Sequence, residues 1–196
     1  MVDGVETEQE YEYGYTPAHD DPVKESNGDF SYIFIGWSPA LETVTGDATY
    51  TAIFLEVRNC TKGAAEVSLV SVNADGTIVI SVDSDLACAV GMMDEEGSVT
   101  KLSCTTEDGV HKFTVADVSA TVVIVIKGDF DLNGKLQSRD ATYMRQYLLD
   151  LRTLNEETAA ISLFAGDVVG TDNSVSSRDA TLIRQVLLEI KEPFAW

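Results

Sequence analysis

The residues best suited to chemistry in this sequence lie together in Asp129-Phe130-Asp131-Leu132-Asn133-Gly134-Lys135-Leu136-Gln137-Ser138-Arg139-Asp140. Carboxylate or amide oxygens stand at positions 1, 3, 5, 9 and 12 of this twelve-residue stretch, and position 6 is Gly. A hard, flexible cation shell is built from such a set: Asp129, Asp131 and Asn133 by side chain, Lys135 by its carbonyl, Gln137 directly or through water, and Asp140 to close. Gly134 supplies the sharp turn that brings the two ends together. Calcium suits this donor count better than magnesium, which demands a tighter octahedron. The only departure from the usual loop is Asp in place of Glu at the last position. An Asx-rich turn capping a helix, with Ser138 or Asp140 as the cap, would explain some of these residues but not all five ligand positions and the Gly.

The same phrase returns. Val175–Leu188 repeats Leu136–Leu149 at an offset of 39 residues, with Ser-Arg-Asp-Ala-Thr, Arg-Gln and Leu-Leu identical. The second loop, Asp167 to Asp179, spans thirteen residues and loses its third position among Val168, Val169 and Gly170. Asp167, Asp172, Asp179 and the Ser174 carbonyl remain as expected ligands, with Ser176 acting through water, so two calcium ions are expected in all.

The elements that must position these loops are read from periodicity. Thr121–Ile126 is a continuously apolar strand that runs through Lys127-Gly128 straight into Asp129, leaving no room for a helix entering the loop. Each unit is therefore a loop followed by an exiting helix. Met144, Tyr147, Leu148 and Leu151, and likewise Ile183, Val186, Leu187 and Ile190, fall at helical spacing and are expected to pack the two helices together. The opposite faces carry Ser138, Arg139, Thr142, Arg145, Gln146 and Leu149, and Ser177, Arg178, Thr181, Arg184, Gln185 and Leu188. Arg beside an exposed apolar residue is the chemistry of a protein-binding hot spot, and this acidic chain places four of its few arginines there. Between the copies, Asn155-Glu156-Glu157 is expected to cap a short helix reaching Phe164.

The rest of the chain reads as β. Tyr11, Tyr13 and Tyr15 alternate as in a strand, and Thr16–Gly28 is a loop. Strands follow at 32–37, 48–55, 65–72, 77–82, 111–115 and 121–126, with turns at 73–76, 95–97 and 107–109. The last strand, apolar throughout, should be central. Trp37 and the tyrosines are expected to pack a small core; a sugar platform is the alternative. Cys60, Cys88 and Cys104 have no metal-binding spacing with one another or with His19 and His111; they are buried hydrophobes, or Cys88 and Cys104 link neighbouring strands. The net charge of −20 excludes nucleic-acid binding, and no apolar run could insert into a membrane. Met1-Val2-Asp3-Gly4 resembles a start placed on a fragment, which accounts for the missing signal peptide.

Two resemblances extend this reading. YIFIGWSPALETVTGDATYTAIF, Tyr32 to Phe54, resembles the internalin-type β-grasp repeat that serves as a spacer in bacterial surface proteins. Residues 128–196, with the duplicated loop and helix, resemble the dockerin module of bacterial cellulosomes. That resemblance implies a non-enzymatic, secreted, monomeric chain that docks through calcium on a cohesin of a scaffoldin. It places Ser138-Arg139 and Ser177-Arg178, then Arg145-Gln146 and Arg184-Gln185, against the cohesin. Many members carry Ser-Thr and Lys-Arg there, so a different cohesin specificity is implied. The expected architecture is multidomain: a β-grasp-like repeat at 1–55, a small immunoglobulin-like β-sandwich spacer at 56–127, and an all-α dockerin at 128–196. The competing functions are a calcium-responsive regulator with a Met-rich groove and a sugar-binding surface adhesin.

Overall fold

The computed structural model describes residues 8–18, 20–28, 30–170 and 172–196. Met1–Gly4 and His19, which entered the reading above, lie outside the described residues. The strands among them are β1 (Phe30–Ser38), β2 (Thr51–Asn59), β3 (Glu66–Val72), β4 (Ile78–Asp83), β5 (Cys88–Met93), β6 (Val99–Lys101), β7 (Cys104–Glu107), β8 (Val110–Val115) and β9 (Thr121–Ile126). The helices are α1 (Ser138–Leu148), α2 (Ala159–Gly166) and α3 (Ser177–Leu187).

One sheet has the order β1-β2-β9-β5-β6 and the other β3-β4-β8-β7. The apolar run of β9 is explained by its place. Val122, Ile124 and Ile126 face the second sheet, where Ile78, Ile80, Val82, Phe113 and Val115 meet them in the main core. Val123 and Val125 face the other way, onto Ile161, Phe164 and Ala165 of α2. A strand covered on both faces has no polar side to alternate with, so its periodicity disappears from the sequence.

The expected division into separate all-β and all-α domains is overturned by this arrangement. The β1–β2 hairpin is the edge of the larger sheet: β2 pairs in parallel with β9, from Val57 opposite Val122 to Asn59 opposite Ile124. Nor is the C-terminal region an independent helical bundle. Its α2 lies on that same sheet, so the mostly β molecule carries three short helices on one continuous framework. Among the described residues no helix is long and apolar enough to cross a membrane.

One local expectation also changes, and of the two readings of the cysteines the unlinked one holds. Residues 8–18 form no strand; the chain turns at Tyr13-Gly14, with Gly14 at φ 84°, and the Tyr11 and Tyr15 rings stack 5.5 Å apart. A turn of this length returns alternate aromatics to one side and so imitates a strand pattern. Cys88 and Cys104 belong to different sheets, and all three cysteines are free thiols. Burial pushes the Cys88 thiol up to about 11, which keeps it protonated and inert.

The seat of α2 depends on Gly91. A Cβ there would come within 2.6 Å of Val99 Cγ1 and 3.1 Å of Phe164 Cζ. The glycine thus leaves the hollow that the Phe164 ring fills. Phe164→Ala is expected to destabilise the whole chain by about 3–5 kcal/mol, by loss of apolar burial and by the cavity left behind. Chemical denaturation followed by intrinsic fluorescence measures this. A loss below about 1 kcal/mol would mean that α2 only rests on the sheet.

Candidate metal centre and docking face

The strand β9 ends at Ile126, and three residues later Asp129 is fully buried. Its Oδ1 accepts from the Asn133 amide at 3.1 Å and its Oδ2 from the Gly134 amide at 2.7 Å. Gly134 can turn this tightly because its φ is 80° and because it presses on the β2–β3 connection; a Cβ would lie 2.6 Å from the Thr61 carbonyl. At the far end of the loop Asp140, in the first turn of α1 and fully buried, accepts from the Gln137 amide at 2.7 Å and the Asp131 amide at 3.3 Å. The helix N-terminus favours a negative charge at that place.

Carboxylate oxygens from Asp129, Asp131 and Asp140 come within 4.8 Å of one another. Burial holds the Asp129 carboxyl up at about 6, against two amide donors that pull it down, and the nearby Asp131 adds to the rise. Burial likewise raises Asp140 to about 7, with Asp129 and Asp131 contributing. Three acids gathered in a buried turn repel one another, and a divalent cation with oxygen preference is what relieves that repulsion. The donor set therefore fits calcium. Asn133 donates its side-chain amide to Asp131, and Arg139 pairs with the same carboxylate. Lys135 is exposed beside them, and Gln137 is the residue from which α1 starts.

A pH effect follows with a defined sign. Both folded-state values lie above the ordinary 3.8, so the metal-free fold prefers these groups protonated. The penalty is absent below about pH 4, grows as pH rises toward 7, and is complete above that. Metal-free protein is thus expected to melt at a higher temperature at pH 5 than at pH 7.5, while calcium affinity rises over the same interval. Melting curves on dialysed protein, with and without added calcium, check both parts.

The second loop reaches a related end by another path. Asp167 accepts from the Gly170 amide at 2.6 Å and the Asn173 amide at 2.9 Å. Asp179 accepts from Val168 and Val169 on one oxygen and from the Ser176 amide and hydroxyl on the other. The extra residue falls before Asn173, which stands at the place of Gly134 and takes a φ of 57°. Asn tolerates that left-handed conformation better than most residues. Asn173 also donates its side chain to the Val99 carbonyl at 2.5 Å, tying this loop to β6. Asp172 is exposed and caps Ser174 at 3.1 Å; among the described residues no third acid joins Asp167 and Asp179. Ser176 is used as the cap of α3, accepting from the Arg178 amide.

The two helices are built alike. Each has eleven residues, begins at the equivalent Ser138 or Ser177, and ends before a left-handed residue, Asp150 or Glu189 with φ 56°. Phe130, Ala141, Met144, Ala180 and Ile183 form the core between them. The expected packing stripes hold only in part. Leu151 and Ile190 lie past the left-handed residue, which turns the chain away from the core, and are 74% and 64% exposed. They join Leu149 and Leu188, 67% and 62% exposed, as an apolar patch at each helix end. Sequence periodicity misses this because it assumes that the helix continues. Ser138, Arg139, Thr142, Ser177, Arg178, Thr181 and Arg184 are exposed; Arg145, Gln146 and Gln185 are half-buried. Thr142 and Thr181 bond back to the carbonyls of Ser138 and Ser177, at 3.0 and 2.7 Å.

Residues 194–196 add a further contact. Phe194 packs against the helix core and over Gly128, and Lys127 donates to the Ala195 carbonyl. Trp196 continues to β8, where it stacks on His111 at 3.8 Å.

A duplicated calcium-type loop, each copy followed directly by a helix with an exposed Arg and Leu face, defines a loop-helix class of module. Residues 127–188 match the family model of the Dockerin type I domain, so the chain carries a dockerin domain in its C-terminal third. No curated protein and no solved structure matches the chain. Dockerin type I domains bind calcium and are non-catalytic docking modules. Their partners are cohesin modules of scaffoldins, in extracellular cellulosome-type assemblies.

Proposed function

We propose that this chain, with two calcium ions bound, docks on a cohesin of a scaffoldin and so attaches its parent protein to a secreted polysaccharide-degrading complex. The first ion sits among Asp129, Asp131, Asn133, Lys135, Gln137 and Asp140. The second sits among Asp167, Asp172, Ser174, Ser176 and Asp179. The observation that carries the reading is the repeated face: an exposed Arg at the start of each helix and an exposed Leu at its end, each fixed to a calcium-type loop. In a chain of net charge −20, such a local basic and apolar surface suits a partner with acidic and apolar groups of its own.

The β framework serves as a spacer that also braces the docking domain, through Thr61 at the first loop and Val99 at the second. A calcium-responsive regulator would need a methionine-lined groove that opens on binding; Met144 is fully buried between α1 and α3. The test is a pull-down of the full chain against a panel of purified cohesins, with calcium and with chelator. Retention by at least one cohesin in calcium alone is expected. Failure to bind any of them, or binding that ignores the chelator, would overturn the reading.

A further inference from the structure

The two docking faces are nearly identical in sequence, yet the structure holds their leading arginines differently. Arg139 forms an ion pair with Asp131, whose side chain is only 7% exposed, and lies over the Tyr143 ring at 5.0 Å. Arg152 lies over the same ring at 3.5 Å. In the second copy the place of Asp131 falls among Val168, Val169 and Gly170, none of them acidic, and at the offset of 39 residues Tyr143 is replaced by Leu182 and Arg152 by Lys191. Arg178 is exposed and, among the described residues, has neither an acidic partner nor a ring beneath it.

We infer that the faces are unequal and that an acidic partner surface engages the α3 face, through Arg178, in preference to the α1 face. This rests on the docking reading above. Three effects point the same way. A partner carboxylate at Arg139 must displace or share the Asp131 pair, and it meets the charge of Asp131 at close range. The guanidinium over Tyr143 must also leave its ring, which holds cations by electrostatic attraction to the π face. Arg178 meets neither obstacle and presents its full fork to a carboxylate. The ring contacts use none of the metal-ligating side chains, so the bias does not depend on Asp131 alone. Tyr143 and Asp131 are thereby positioning residues that set orientation.

The test uses the full calcium-loaded chain and one purified cohesin that the wild-type chain binds, with affinity measured by titration calorimetry. Arg178→Ala is expected to weaken binding about fivefold more than Arg139→Ala does, a difference of the size expected for a partly exposed charge pair. Tyr143→Leu, which gives the first copy the residue of the second, is expected to narrow that gap when combined with Arg178→Ala. Unchanged melting temperatures of the Arg variants separate this from misfolding, since both side chains are exposed. Equal losses at the two arginines, or a larger loss at Arg139, would overturn the inference while leaving docking itself intact. Absence of binding by the wild-type chain to every cohesin would instead overturn the docking reading, before any variant is made.

Discussion

Chelation of calcium is expected to melt α1, α3 and their loops while the two sheets and α2 stay folded. The core between α1 and α3 has five buried apolar residues, two of them alanines, and the side chains around them, Leu136, Tyr147 and Leu187 among them, are only partly buried, which makes it a small core for two helices and two loops. Calcium binding to the folded state alone adds stability by mass action, about 2.7 kcal/mol at a hundredfold excess over Kd. Its removal also leaves Asp129, Asp131 and Asp140 gathered together with only Arg139 to offset their charge. By contrast α2 belongs to the sheet core through Ile161, Phe164 and Ala165, and the two sheets share a core of their own. Far-UV circular dichroism in chelator should therefore lose helical signal and keep strand signal, and cohesin binding should vanish. Hydrogen exchange would place the loss at 129–154 and 167–190. Identical spectra and melting curves with and without chelator would refute the claim that calcium holds this part of the fold.

How far this could be foreseen differs from element to element. The β9 strand was legible because a run of five apolar β-formers beside a turn fits a strand buried on both faces, and it is the middle strand of five. Its parallel pairing with β2 was not, since a partner 65 residues away leaves no local trace: Val57 opposite Val122 is the pair that joins what looked like two modules. The Cys88–Met93 strand leaves little local trace because Gly91 and the small residues Cys88 and Ala89 interrupt its alternation, and that Gly is where Phe164 must fit. Convergence of Asp129, Asp131 and Asp140 follows from loop spacing, because a Gly at the sixth position forces the turn. The hold of Asp131 and Tyr143 on Arg139 does not. It depends on where side chains settle after α1 has formed, and the two copies share the motif while differing only at its neighbours.

Substituting Ser138-Arg139 and Ser177-Arg178 together by Ala is expected to abolish cohesin binding, whereas either pair alone is expected to leave it within about tenfold of the wild-type affinity. The helices start at equivalent residues, run for the same length and end in equivalent apolar patches, so either can present the same surface to a partner. When one face is damaged, the partner can turn and use the other, and the measured loss is only the difference between the two orientations. The α3 pair should be the costlier of the two, because Arg178 is unheld while Arg139 is shared with Asp131 and Tyr143. With both pairs gone, neither orientation keeps a hydroxyl and guanidinium at the helix start, and Leu149 or Leu188 alone cannot orient the contact. Titration of the four proteins against one cohesin in calcium distinguishes the cases. Loss of all binding on removing the α3 pair alone would mean a single orientation, with the α1 face serving only to close the core.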